Sequence, residues 1–257
     1  MRIFVSEYVT GGGLLDSDFE QSMGRLLTEG QAMVAAVAED LGRIRGTEVV
    51  LLRDVRLPVC HFEETCRVVR VSTAKEELSC FSHESHSADY TLIIAPEMDG
   101  ILLDRVNLAV DSGASLVSPG PEFVRLASDK HSLATYLGER GIPVPCGVVV
   151  QPGDKPPEWL TPVCVVKPLD GAGAEGVIRL GGDTIPIFDV AKRCEEFCPG
   201  LSVSCSVLCG EGKPTLLPPC SQRFEGQGIF RYVGGELITD ESLVRRAHRL
   251  VRAACEC

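Results

Sequence analysis

No apolar run in this 257-residue chain approaches the roughly 20 residues that a membrane-spanning helix needs, so a helical membrane protein is not expected. The N-terminus, MRIFVSEYVTGGG, has one arginine, a short strand-like stretch and then glycines. It lacks the apolar core of about 7 to 15 residues that a secretory signal carries, and a cytoplasmic location is the expectation. None of the twelve cysteines is spaced CxxC, which argues against zinc. Most lie in apolar stretches such as PVCVV and SVSCSVLC, where a reduced thiol packs as a small hydrophobe. Positive charge is in deficit, with 25 Lys and Arg against 36 Asp and Glu and a net charge of -11. A nucleic-acid backbone or an anionic membrane would repel such a chain, so neither is expected as a partner. Small molecules remain, and a homodimer is compatible with these features.

What is present is ordinary for a globular protein: 44% hydrophobic and 24% charged residues, in a chain long enough for one large domain or two modest ones. The first 120 residues alternate strand-like and helix-like patterns. RIFVS, EVVLLRD, RVVRVS and YTLIIAPE read as strands, with the amphipathic DFEQSMGRLLTEGQAMVAAVAEDL after the first. Continuous apolar strands between helices predict a parallel sheet covered on both faces, with ligands at the carboxyl ends of the strands. TGGG (Thr10 to Gly13) and APEMDG (Ala95 to Gly100) fall at such ends. A helix is expected from SPGPEFV onward through ASDKHSLATYLGER, closed by Gly141, Pro143 and Pro145. Beyond it, short strands and turns rich in glycine and proline predict hairpins, and DESLVRRAHRLVRAACEC reads as a helix with Leu243, Ala247, Leu250, Val251 and Ala254 on one face. HESH (His83, Glu84, His86) lacks the i, i+4 histidine pair of a zincin and reads as a solvated helix face.

The segment CVVKPLDGAGAEGV carries the chemistry. Gly171, Gly173 and Gly176 spell GxGxxG, but VIRL follows where a dinucleotide fingerprint requires a helix. Lys167 precedes the glycines, whereas a Walker lysine follows them. Strand, lysine, glycine loop and strand instead predict a hairpin. Its tip can fold over a phosphate chain, the loop offering N–H groups and the lysine a point charge. A plain glycine-rich hairpin with an exposed lysine is the alternative.

Lys130 on the preceding helix turns this into a pattern. SDK, GIPVP, VVKPLDGAGAEGV and EEFCPGLSVS, in that order over roughly residues 120 to 235, resemble the ATP-grasp superfamily. EYVTGGG with EGQAM (Glu29 to Met33), and later SQRFEGQGIFRYVGGE, resemble the tyramine-glutamate ligase-like members known from methanofuran-type cofactor biosynthesis. The resemblance implies an α/β fold: an N-terminal parallel pre-ATP-grasp domain over 1–119, then an incomplete two-lobed ATP-grasp domain over 120–257, with lobes at about 120–192 and from about 193. It implies that Lys130 and Lys167 bind ATP phosphates and that Gly171, Ala172, Gly173, Ala174 and Gly176 form a lid. Glu196 and Phe197 would meet the adenine, with Glu195 a weak substitute for a ribose-binding acid. Gly11, Gly12, Gly13 and Gln222 would lie near the acceptor, and Arg223 would serve catalysis.

The implied activity is that of an ATP-dependent carboxylate-amine ligase. It would form an amide through an acyl phosphate from small amino acid and amine substrates, with L-glutamate and a tyramine- or tyrosine-like amine as the pair suggested. Family members follow the last helix with an acidic strand and an E-x-N segment for magnesium. This sequence stops at Cys257 before either, so no metal ligand is assigned, and weak nucleotide binding with poor turnover is the expectation. Two other readings stand beside it: a catalytically silent nucleotide-binding module, and an oxidoreductase using TGGG for a nicotinamide cofactor.

Overall fold

The computed structural model describes residues 1–17, 24–160, 163–181, 186–210, 212–226 and 228–257, which divide into two compact units, Met1–Arg125 and Leu126–Cys257. The sequence reading divides the chain at 119/120.

In unit 1, strands β1 (Arg2–Glu7), β2 (Glu48–Asp54), β3 (Arg67–Val71) and β4 (Tyr90–Ile94) form a parallel sheet in the order β3-β2-β1-β4. All four strands are those expected. Side chains alternate across the sheet with period two. Ile3, Val5, Val49 and Leu51 therefore pack with Val34, Ala38 and Phe62 on one face, while Phe4, Val50, Leu52 and Val71 pack with Phe81, Val106 and Ala109 on the other. Helix α1 (Gly24–Gly42) covers the first face, and α2 (Ala74–Ser87) with α3 (Ile101–Asp111) covers the second. The helix expected from Asp18 begins, within the described residues, at Gly24; positions 18–23 lie outside them.

Buried charge gathers toward the carboxyl ends of β1 to β3. Arg53 has no exposed side chain; its Nε donates to Glu63 at 3.0 Å, and Arg70 donates to the other Glu63 oxygen at 2.7 Å. Burying ions costs several kcal/mol each, so they persist only when paired this closely. Glu84 corrects one expectation. The HESH segment lies on α2, but Glu84 is buried rather than solvated and accepts from Arg2 and Arg67, because those arginines project from β1 and β3 onto the inner face of the helix.

The turn Thr10–Gly13 is filled by the chain itself. A Cβ at Gly11 would lie 2.5 Å from the Glu7 carbonyl, at Gly12 2.7 Å from Val71, and at Gly13 2.4 Å from the Tyr8 ring. Gly12 also adopts a φ of +102°, which a side chain opposes. The buried Glu7 carboxylate accepts from the Val9 and Thr10 amides at 3.1 and 2.6 Å, and burial raises its pKa.

In unit 2, the stretch expected as one helix is two: α4 (Pro121–Ser128), which crosses the unit boundary, and α5 (Lys130–Glu139). Asp129 divides them. Its extended backbone and its side chain, which accepts from the Ser132 amide at 2.5 Å, cap α5 afresh. Strands β5 (Gly147–Val150), β6 (Val163–Pro168), β7 (Ile178–Gly181) and β8 (Lys192–Glu196) form an antiparallel sheet in the order β5-β8-β6-β7. Short ladders follow: β9 (Val203–Ser204) with β12 (Cys220–Ser221), β10 (Val207–Leu208) with β11 (Thr215–Leu216), and β13 (Arg223–Glu225) with β14 (Arg231–Gly234). Helix α6 (Glu241–Cys255), capped by Asp240, contains no fully buried residue, and Leu243 and Leu250 of its apolar face remain exposed. The cysteines are more exposed than their apolar neighbours in sequence suggest. Cys164 and Cys194 are core residues, whereas Cys146, Cys198, Cys209, Cys255 and Cys257 are exposed. Short strands leave little interior to bury a thiol in.

One packing contact in unit 1 yields a sign reversal. Gly→Ala within a helix normally adds about 1 kcal/mol of stability. At Gly30, on α1, the new methyl would sit 2.7 Å from the Glu7 carboxyl carbon and both its oxygens. Gly30→Ala is therefore expected to lower stability by about 1–3 kcal/mol in urea unfolding; a raised midpoint would contradict the contact.

Candidate functional site

The β5-β8-β6-β7 sheet has two chemically distinct faces. Val148, Val150, Cys164, Val166, Ile178, Leu180 and Cys194 alternate onto one face and build the core of unit 2 with Leu160 and Phe188. The residues between them face the other way: Lys167 stands opposite Arg193, and Val165 stands opposite Glu195. A cationic pair directly across two strands is repulsive. Glu195 resolves it by accepting from Lys167 Nζ at 2.5 Å on one oxygen and from Arg193 Nε at 2.7 Å on the other. The side chains of Lys167, Arg193 and Glu195 are 22%, 2% and 9% exposed, so water screens this arrangement little. Two cations share one carboxylate, and the face keeps an excess of positive charge inside an acidic protein.

Arg193 reaches further. Its Nη1 lies 2.8 Å from His131 Nδ1 on α5, and its Nη2 donates to the Pro145 carbonyl at 3.0 Å. As guanidinium only donates, His131 Nδ1 is the acceptor and the ring carries its proton on Nε2. Neither His131 nor Arg193 carries a sequence signal of its own. Their roles follow from strand register, which the sequence does not print.

Lys130, the first residue of α5, approaches the glycine loop itself. Its Nζ donates to the Asp170 and Gly171 carbonyls at 2.5 and 2.6 Å, and its amide donates to the Leu169 carbonyl at 2.8 Å. The loop joins β6 to β7 as the hairpin expected from sequence. Gly171, Gly173, Ala174 and Gly176 all have positive φ, between 62° and 80°, which reverses the peptide planes. A Cβ at Gly171 or Gly173 would meet nothing within 4 Å, so the loop has open space beside it. Ala172, Gly173 and Gly176 are exposed. An ammonium placed at the root of a loop of this kind is suited to an anionic chain of phosphates.

The remaining candidates divide by position. Glu196 falls on the face opposite Lys167, is exposed, and accepts from the Cys146 amide at 3.2 Å. Glu195, read from sequence as only a weak substitute, is the acid beside Lys167. Phe197 lies beneath Arg179 of β7, with 4.1 Å from the guanidinium carbon to the ring centroid. The loop between β13 and β14 is fastened to this region, since the Arg179 amide donates to Gly228 and the Phe230 amide donates to Val177. Arg223, at the start of β13, is exposed and faces Glu236 at 3.5 Å, and the Gln222 amide donates to Ser202. Gly11, Gly12 and Gly13 belong to unit 1 and make the packing contacts described above. Among the described residues, no three His, Cys, Asp or Glu side chains gather as a metal site.

The two adjacent glutamates differ sharply in expected cost. Glu195→Gln leaves Lys167 and Arg193 without their shared carboxylate, and breaking a buried pair typically costs about 3–5 kcal/mol. Glu196→Gln alters an exposed group, for which about 1 kcal/mol or less is usual. Chemical denaturation of both variants checks this, and equal losses would refute the assignment of faces.

Comparison with known proteins bears on the family and the fold. A model described as the ATP-grasp domain matches residues 127–257, and one described as the pre ATP-grasp 3 domain matches residues 47–124. No curated protein sequence matches the chain. Among solved structures, similarity extends to an ATP-grasp superfamily protein from Archaeoglobus fulgidus, with TM-score 0.67, 21% identity, and coverage of 100% of this chain and 72% of that one. N5-carboxyaminoimidazole synthetase from Staphylococcus aureus complexed with ADP gives 0.65 and 15%, covering 99% of this chain and 62% of that one. D-alanine--D-alanine ligase from Bacillus anthracis complexed with ATP gives 0.61 and 16%, covering 100% and 77%. At these identities the structural likeness speaks for the fold, and the sequence models covering both units speak for the family: the chain belongs to the ATP-grasp family.

Proposed function

We propose that unit 2 binds ATP, with Lys130 and Lys167 on its phosphates and the loop Gly171 to Gly176 as its cover. The observation that carries this reading is the convergence of Lys130 on the carbonyls of Asp170 and Gly171 at the root of the glycine hairpin, with Lys167 on the strand leading into it. Oxygens that gain charge as a phosphoryl group moves are stabilised by fixed cations and N–H donors that need no reorganisation. Lys167 supplies such a cation at the α-phosphate, Lys130 supplies another, and the loop amides supply donors. The Phe197 ring, backed by Arg179, offers an apolar surface to a base.

The reaction this serves is carboxylate-amine ligation. A substrate carboxylate oxygen attacks the γ-phosphorus and ADP leaves, giving an acyl phosphate. An amine then attacks the acyl carbon, inorganic phosphate leaves, and the nitrogen loses a proton as the amide forms. The chain's part is to position the reactants and neutralise charge, and no covalent enzyme intermediate is required. L-Glutamate and a tyramine- or tyrosine-like amine are the proposed substrates, on the resemblance of EYVTGGG and SQRFEGQGIFRYVGGE. Arg223 and Gln222 are the proposed contacts to the acceptor or the transferred phosphoryl group. Magnesium, where bound, would add to the neutralisation of charge that develops as the phosphoryl group moves. A second reading, in which unit 2 binds nucleotide without turning it over, shares every contact proposed here.

Isothermal titration with ATP, and phosphate release with ATP, L-glutamate and tyramine, test the two together. Wild type is expected to bind ATP, and Lys130→Ala to bind at least about ten-fold more weakly, a loss of about 1.4 kcal/mol. Unchanged affinity in Lys130→Ala would sink the phosphate role. Binding that survives EDTA, without product from either substrate, would select the second reading.

A further inference from the structure

Arg193 has no place in the ligand contacts proposed above, yet it is tied on three sides. Its donors meet acceptors on three separate parts of the chain: Glu195 on β8, His131 on α5, and the Pro145 carbonyl ahead of β5. At 2% exposure it has no water to replace any of them. The packing makes room for it. A Cβ at Gly147 would lie 2.7 Å from the Cys194 carbonyl oxygen and from Glu195 Cβ and 3.0 Å from Arg193 Nη2, so glycine there lets β5 pack closely on β8 and on the guanidinium.

The geometry at Glu195 gives this fork a consequence for Lys167. Arg193 occupies Oε2 at 2.7 Å, which leaves Oε1 as the oxygen facing Lys167 at 2.5 Å. Freed of Arg193, the carboxylate could rotate and engage Lys167 through both oxygens, neutralising the ammonium that a phosphate must find. The other arm of the fork fixes His131, whose neighbour in sequence is Lys130. One buried guanidinium thus sets the two lysine-bearing elements, α5 and β6, against each other through β8.

We propose that Arg193 is a positioning residue of the nucleotide site, which shares Glu195 with Lys167 and anchors the start of α5, so that both lysines stand ready for phosphate oxygens. The proposal rests on the ATP-binding reading above. Lysine is not an equivalent, because its point charge on a flexible stem cannot serve three fixed acceptors at once.

The test is a double-mutant cycle on the full chain, with ATP affinity from titration and foldedness from circular dichroism and urea unfolding. Arg193→Lys is expected to weaken ATP binding about ten-fold or more when Lys167 is present and only about three-fold in the Lys167→Ala background, where its hold on α5 alone remains, a coupling within the range that contacting residues show. A merely structural arginine would weaken both backgrounds by the same factor, and that result overturns the proposal. Should Arg193→Lys fail to fold, His131 carries the test. His131→Ala is expected to weaken ATP binding several-fold, and His131→Asn, whose side-chain oxygen can stand where Nδ1 accepts, to restore it. Equal affinity in these two variants also overturns the proposal. If wild type binds no ATP, the nucleotide reading falls and this inference falls with it. If wild type binds in a Lys167-dependent way and the cycle is additive, only the role of Arg193 is lost.

Discussion

The sharing of the Glu195 carboxylate between Lys167 and Arg193 is the constraint on which unit 2 depends. Register sets the two cations opposite each other on adjacent strands, and burial leaves Arg193 almost no solvent and Lys167 only part of its own. A single carboxylate at the next same-face position of β8 turns a repulsive pair into a bonded triangle. Its second effect is electrostatic: one anion for two cations leaves positive charge on the polar face, while the opposite face is an ordinary apolar core of valine, isoleucine, leucine and cysteine. The sheet thereby separates stability from chemistry across its own thickness. The glycine hairpin continues from the strand that bears Lys167, and Lys130 arrives at its root from α5. Local backbone at positive φ is tolerated there because three of the four positions concerned are glycine; Ala174 is the exception and carries the strain of a left-handed alanine.

Unit 1 applies the same physics with a different outcome. Its parallel sheet also collects buried charge at both ends of its strands, but Glu63 is divided between Arg53 and Arg70 toward the carboxyl ends, Glu77 pairs with Arg105, and Glu84 pairs with Arg2 and Arg67 at the amino ends. Glu7 is tied to the turn it precedes through the Val9 and Thr10 amides. The three glycines of that turn are required by Glu7, Val71 and Tyr8, which press on their α-carbons. Close self-packing accounts for the TGGG motif by itself.

Much of this fold is legible in the sequence because strands buried on both faces must be continuously apolar. RIFVS, EVVLLRD and YTLII declare themselves in that way, and the hairpin after Lys167 follows from a strand standing where a dinucleotide fold needs a helix. The division of α4 from α5 is written in Asp129, a strong helix cap, but an uninterrupted amphipathic pattern on both sides conceals it. The site residues that the sequence hides are those defined by pairing across strands. Glu195 and Glu196 are equivalent as letters. They differ because side chains alternate, which puts the first with Lys167 and the second on the other face. His131 and Arg193 meet 62 positions apart. No spacing rule anticipates that contact, and it exists only once α5 has docked beside β5.

The central claim is that the lysines and the glycine hairpin form a site for the phosphates of a nucleotide. A crystal structure with a non-hydrolysable ATP analogue tests it most directly. The account predicts that Lys130 Nζ leaves the Asp170 and Gly171 carbonyls for phosphate oxygens, while Lys167 keeps Glu195 and adds a contact to the α-phosphate. An analogue bound away from the hairpin, with Lys130 still held on both carbonyls, would contradict it.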